Sequence, residues 1–132
     1  MLLKDKEIFV LRNLTRGKGV GFYAAGNYYP DFILWIKVKN KQYINFIDPK
    51  GILMLHYLEN PKIKLNEIIK DIENDLQDTV DNEVILNSFI ISNTDSKTIR
   101  KQWGKEKEEL EANNVFFTED KNIIARMFNK II

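Results

Sequence analysis

The succession of elements along the chain predicts an α/β layered domain, a central mixed β-sheet flanked by helices. Two observations carry that expectation. Strand-like runs fill the first part of the chain, and helical and strand-like patterns alternate after it. The central strand-like runs are also apolar at almost every position, which predicts strands covered on both faces rather than a one-sided sheet. A length of 132 residues suits one domain, 1–132, built on one core.

Taken in order, Leu2 to Leu11 mixes charge with apolar residues and ends in IFVL, a strand pattern. Arg12 to Asn27 carries four glycines and three cations, RNLTRGKGVGFYAAGN, and predicts a flexible loop with a short strand near Val20 to Tyr23. This loop lacks the Gly-Lys-Ser/Thr ending of a P-loop and the spacing of a dinucleotide fingerprint. Phe32 to Val38 and Gln42 to Ile47 are rich in β-branched and aromatic residues and predict buried strands. Asn60-Pro61 marks a helix start, Asn as cap and Pro at the first helical position, and Leu65, Ile68, Ile69, Ile72 and Leu76 follow at helical spacing. Glu83 to Ile91 predicts a further strand, Asp95 to Glu111 a charged helix, and Val115 to Phe117 a short strand. Thr118 is the expected cap of a last helix, with Glu119 and Asp120 at its positive end and Ile123, Ile124, Met127, Phe128 and Ile131 as its inner face.

Composition narrows the chemistry. With 44% hydrophobic and 30% charged residues the chain reads as an ordinary soluble globular protein. It has no cysteine, which rules out disulfides and Cys-based zinc sites and makes a reducing compartment the simpler expectation. Its one histidine, His56, cannot form a His cluster and reads as a surface residue. The longest apolar run, Phe32 to Ile36, is far shorter than a membrane span, and the first residues lack the apolar core of a signal peptide. A cytoplasmic location with no membrane association is expected. Net charge is +1, but cations outnumber acids between Lys4 and Lys50, whereas Asp71 to Glu83 carries acids and no base. A phosphate-binding face would draw on the first segment.

The most informative stretch is YYPDFILWIKVKNKQYINFIDPKGI, Tyr28 to Ile52. If Lys39-Asn40 is a two-residue turn, residues whose numbers sum to 79 face each other across a hairpin, and Asp31 faces Asp48. Directly opposed side chains lie about 4.5–5.5 Å apart at Cβ. Two carboxylates that close repel, and burial without a partner forces protonation or calls for a counter-charge. A divalent cation answers this, since Mg²⁺ takes a few carboxylate oxygens plus water and phosphate oxygens. Lys50 is two residues beyond Asp48 and emerges on the same face. A cation there can orient water or stabilise charge developing on a phosphate. Pro49 has no N–H and weakens pairing, leaving its carbonyl as a further candidate ligand. The same residues also read as plain turn sequence, because DPKG is good turn chemistry.

YPDFILWI followed by IDPKG resembles the PD-(D/E)xK nuclease superfamily. The longer string from Leu11 to Ile52, with ILNSFIIS and NNVFF downstream, is similar to the C-terminal nuclease domain of DEAD/DEAH-box helicases of the type III restriction subunit class. The resemblance implies a restriction-endonuclease-like three-layer α/β domain, partners in a helicase motor of the same or another chain and a methyltransferase or specificity subunit, and Mg²⁺-dependent hydrolysis of DNA, with Mn²⁺ able to substitute. It puts Asp31 and Asp48 at the metal ligands and Lys50 at the catalytic lysine. The family's helix before the first core strand, often with a further acid, is not read in this sequence, which begins almost directly in a strand pattern; either it belongs to a larger protein from which the chain is cut, or the chain lacks that part of the site.

Arg12, Arg16 and Lys18 in the glycine-rich segment are candidate phosphate contacts, and Asn27 and Tyr28 are candidate DNA contacts beside the motif. Trp35 and Trp103 read as core. Lys97, Arg100 and Lys101 form a second basic cluster at a helix start, more simply a solvated face. Two rival readings stay open: a catalytically silent nucleic-acid-binding module, and a domain that docks onto a motor.

Overall fold

The computed structural model describes residues 6–14, 18–77 and 83–132. Five strands form one sheet in the order of the chain: β1 (Glu7–Arg12), β2 (Phe32–Val38), β3 (Lys41–Lys50), β4 (Glu83–Ser92) and β5 (Val115–Phe117). β1 and β2 are antiparallel, as are β2 and β3, whereas β4 runs parallel to β3 and β5 parallel to β4. The sheet is therefore mixed, with β2 opposing the other four strands.

Helix α1 (Pro61–Gln77) carries the chain from β3 to β4. Asn60 caps it, its Oδ1 accepting the Lys62 N–H at 2.9 Å. Leu65 and Ile69 pack with Phe46, Val84 and Leu86 on one face of the sheet. Farther along that face, Ile99 of α2 (Ser96–Trp103) and Leu110 of α3 (Lys107–Ala112) pack with Ile90, Val115 and Phe117. On the other face, Met127 and Ile131 of α4 (Ile123–Ile131) pack against Leu34, Ile36, Tyr43, Phe89 and Phe116. Helices thus flank the sheet on both sides. No helix among the described residues is long and apolar enough to cross a membrane.

β5 pairs only with Ile90–Ser92, so among the described residues the first half of β4 meets no strand on that side. Side chains complete the ladder there. The Gln77 amide bonds both the N–H and C=O of Val84, Glu73 accepts the Leu86 N–H at 2.8 Å, Lys70 donates to Leu86 O at 2.7 Å, and Asn114 donates to Ser88 O at 3.1 Å. α1 in this way closes an edge that would otherwise invite another strand.

Five local expectations are corrected. The segment Asp95 to Glu111 is two helices, because Gly104 at φ 67° turns left-handed and ends α2. The last helix starts at Ile123 rather than after Thr118; Thr118 instead donates its N–H to Ser92 O, tying the end of β5 to β4. Glu119 accepts the Ser96 N–H at 2.7 Å, so it serves the start of α2, and Asp120 pairs with Lys107 and Arg126. Ile124, expected inside, is 59% exposed. Around Val20–Tyr23 there is no strand but a single bridge, Phe22 to Tyr28, enclosing a short 3₁₀ turn at Tyr23–Ala25.

Candidate active site

The hairpin register follows the sum of 79: Val38 opposes Lys41, Ile36 opposes Tyr43 and Phe32 opposes Ile47. Lys39 takes a left-handed φ of 51° in the turn, which permits the tight reversal. Asp31 and Asp48 are the next pair beyond the last bridge. Asp31 Nα–H donates to Asp48 Oδ1 at 3.2 Å. Alternation puts both residues and Lys50 on the face that carries α1.

Asp48 is only 2% exposed. A carboxylate that deep requires compensation. Three groups supply it: Lys50 Nζ at 2.7 Å and the Tyr28 hydroxyl at 2.5 Å, both on Oδ2, and the Asp31 amide on Oδ1. Burial, then the charge and hydrogen bond of Asp48, push the Tyr28 phenol far above its ordinary value, so it stays a donor. Burial and then the Asp48 charge hold the Asp31 carboxyl above the usual carboxylate range, a side-chain hydrogen bond to Asp48 adds to this, and Arg12 and Lys50 oppose it.

Lys50 C=O accepts the Asn93 N–H at 2.8 Å and so points toward β4. Carbonyls alternate along a strand, so Pro49 C=O points the other way, to the side where β2 has ended. Asp31, Asp48 and that carbonyl are the oxygen-bearing groups here that could hold a cation such as Mg²⁺, which takes carboxylate, carbonyl, water and phosphate oxygens. No group of three or more His, Cys, Asp or Glu side chains is gathered among the described residues, so any ion here rests on the Asp31–Asp48 pair.

Among its described residues, the glycine-rich loop is tied to the strands by side-chain hydrogen bonds. Buried Asn13 donates its side-chain amide to Val20 O and Pro30 O, each at 2.8 Å, and accepts the Val20 N–H at 2.9 Å. Its own N–H bonds Asp31 O at 2.8 Å, so one residue ties loop, β1 and the first acid together. Gly21 is needed for close approach: a Cβ there would lie 2.5 Å from the Tyr29 ring.

Of the candidate DNA contacts, Arg12 lies over the Phe32 ring at 5.1 Å, close enough to Asp31 to affect its titration. Lys18 and Asn27 are exposed, Asn27 in a left-handed conformation at φ 56°. Arg16 falls outside the described residues. Tyr28 is 4% exposed with its hydroxyl on Asp48, so it supports the acid from below and offers no face for base stacking. Trp35 is half-buried, its indole N–H donating to Gln42 at 3.1 Å. His56 is exposed after the site.

Two participants had no clear signal in the sequence. Asn13 reads there as one more polar residue at a loop start. Lys62 reads as a helix-surface lysine, yet its Nζ lies 5.2 Å from the Tyr28 ring centroid, while Lys50 Nζ lies 5.1 Å from the same centroid. Compared with protein-family models, with characterised proteins and with solved structures, the chain finds no match.

Proposed function

We propose that this chain is a Mg²⁺-dependent endonuclease domain of restriction-endonuclease-like fold that hydrolyses DNA phosphodiester bonds. The observation that carries the reading is the Asp31–Asp48 pair on one face of the β2–β3 hairpin, with Lys50 Nζ 2.7 Å from Asp48. Asp31, Asp48 and the Pro49 carbonyl would hold the metal. When bound, Mg²⁺ supplies Lewis-acid activation of the attacking water and neutralises phosphate charge. The chain's own groups do the rest. Tyr28 and the Asp31 amide orient the Asp48 carboxylate, and Lys50 places a positive charge where charge grows on the cleaved phosphate. The mixed sheet with helices on both faces agrees with the fold that the sequence resemblance implies. DNA is the partner in this reading, with a helicase motor and a specificity subunit as further associates and the cytoplasm as location.

The test is nicking of supercoiled plasmid across Mg²⁺ and Mn²⁺ concentrations. The unaltered chain is expected to nick only with metal, and Asp48→Asn and Lys50→Ala to abolish nicking while remaining folded by circular dichroism. Metal-independent nicking, or full activity in Asp48→Asn, would overturn the reading.

A second reading is favoured by one observation. Asp48 Oδ2 is already contacted by both the Tyr28 hydroxyl and Lys50 Nζ, and no group of three or more acids is gathered among the described residues. That arrangement also suits a silent nucleic-acid-binding module in which the pair is structural. Such a module binds duplex DNA without metal and never nicks it.

A further inference from the structure

Lys62 stands in the first turn of α1, the helix that leaves the loop after Lys50. The turn contains no acid. Lys62 forms no ion pair with a described carboxylate, unlike Lys50, Lys64 and Lys70. Its charge instead rests 5.2 Å from the centre of the Tyr28 ring. That ring is the one whose hydroxyl is 2.5 Å from Asp48. It also carries Lys50 Nζ at 5.1 Å. One buried ring therefore gathers two ammonium groups beside two carboxylates, but only the Lys50 charge is answered by an acid.

A cation left without an acid next to a cluster of this kind has a partner available in a nucleic-acid backbone. A lysine presents a compact point charge with three donors on a flexible stem, which suits phosphate oxygens without demanding fixed geometry. We propose that Lys62 is a substrate-binding residue of this site, its ammonium contacting a backbone phosphate next to the one held at Asp31, Asp48 and Lys50. The inference rests on the nuclease reading and adds to it the residue that holds the strand on the α1 side. Contact with the Tyr28 ring stores the side chain near its working position, so little side-chain freedom is lost on binding.

The experiment measures binding of a short fluorescein-labelled DNA duplex by anisotropy, in EDTA, over a series of salt concentrations, for the unaltered chain, Lys62→Met and Lys62→Arg. Met keeps the packing stem, and Arg keeps the charge. Each phosphate contact contributes about 0.9 to the slope of log K against log salt. Lys62→Met is expected to lower affinity at low salt and reduce the slope by about 0.9, with Lys62→Arg close to the unaltered chain. A lysine that only packs on Tyr28 would change thermal stability and leave the slope alone. Unchanged slope in Lys62→Met, with a binding-competent and nicking-competent unaltered chain, overturns this inference and spares the nuclease reading. An unaltered chain that neither binds nor nicks DNA overturns both.

Discussion

A buried carboxylate is costly unless its charge is met inside the protein, and Asp48 is met by a lysine, a phenol and a backbone amide. The phenol is the most separable of the three, because Phe preserves the ring. Tyr28→Phe removes one hydrogen bond to a charged group and is expected to cost about 1.5–3 kcal/mol in urea unfolding. A change under a few tenths would mean that the bond is not made. Asp31 titrates in the opposite sense to an ordinary salt-bridged acid. Its folded value lies above the 3.8 of a free carboxyl, so between the two the folded chain keeps a proton that the unfolded chain has released. Stability from this group is full below 3.8 and is lost as pH rises through the folded value. Asp31→Asn should therefore stabilise the chain at neutral pH, and the gain should vanish in acid. An equal gain at both pH values in urea titrations would show that ionisation of the Asp31 carboxyl, disfavoured by burial and then by the Asp48 charge, is not its origin. The shared face of Asp31, Asp48 and Lys50 was legible in the sequence because hairpin pairing and strand alternation are local rules. The roles of Tyr28 and Lys62 were not, since neither position carries a periodic or motif signal.

Among elements, α1 has two duties. It buries Leu65 and Ile69 against the sheet and lends Lys70, Glu73 and Gln77 to the open edge of β4. Its apolar spacing announced the first duty. The second depends on β5 being three residues long, which no property of α1 reveals. Glu73→Ala strips the Leu86 N–H of its acceptor and is expected to cost about 1–3 kcal/mol, read as a shift in urea midpoint. The break between α2 and α3 follows from Gly104, whose left-handed φ of 67° penalises any Cβ. Gly104→Ala should destabilise by about 1–2 kcal/mol. No loss in thermal unfolding would mean that the chain can run on as one helix. A further clamp joins α3 to α4, where Arg126 pairs with Glu111 and Asp120 while Lys107 also reaches Asp120.

For the molecule as a whole, strand direction decides where chemistry can gather. β3 and β4 are parallel, and their carboxyl ends bring Asp48, Lys50 and Ser92 to one rim of the sheet. Open parallel sheets bind ligands at such rims, where loops leave the strands and side chains converge. β2 starts at the same rim and delivers Asp31 to it from the opposite direction. Under the nuclease reading this rim is the metal site, and ligand binding to the folded state alone must raise stability. Mg²⁺ is expected to raise the melting temperature of the unaltered chain and to leave Asp48→Asn unmoved. Equal shifts in both proteins would place the ion elsewhere.

The sequence by itself determined the strands β2 and β3, the turn at Lys39-Asn40 and, through them, the shared face of Asp31, Asp48 and Lys50. These follow from the two-residue period of a strand and from a turn two residues long, and both act over short chain distances. Tertiary structure alone decided what stands around that face. Tyr28 reaches Asp48 across 20 positions, and Asn13 reaches Pro30 across 17. Lys62 meets Tyr28 only because α1 packs on the sheet face where Tyr28 joins Leu65 and Ile69 in one cluster. Glu119 serves α2 rather than its own helix, because the end of β5 is tied to Ser92. Each of these contacts joins segments whose relative position is set by packing of the whole core, and no local pattern encodes that position.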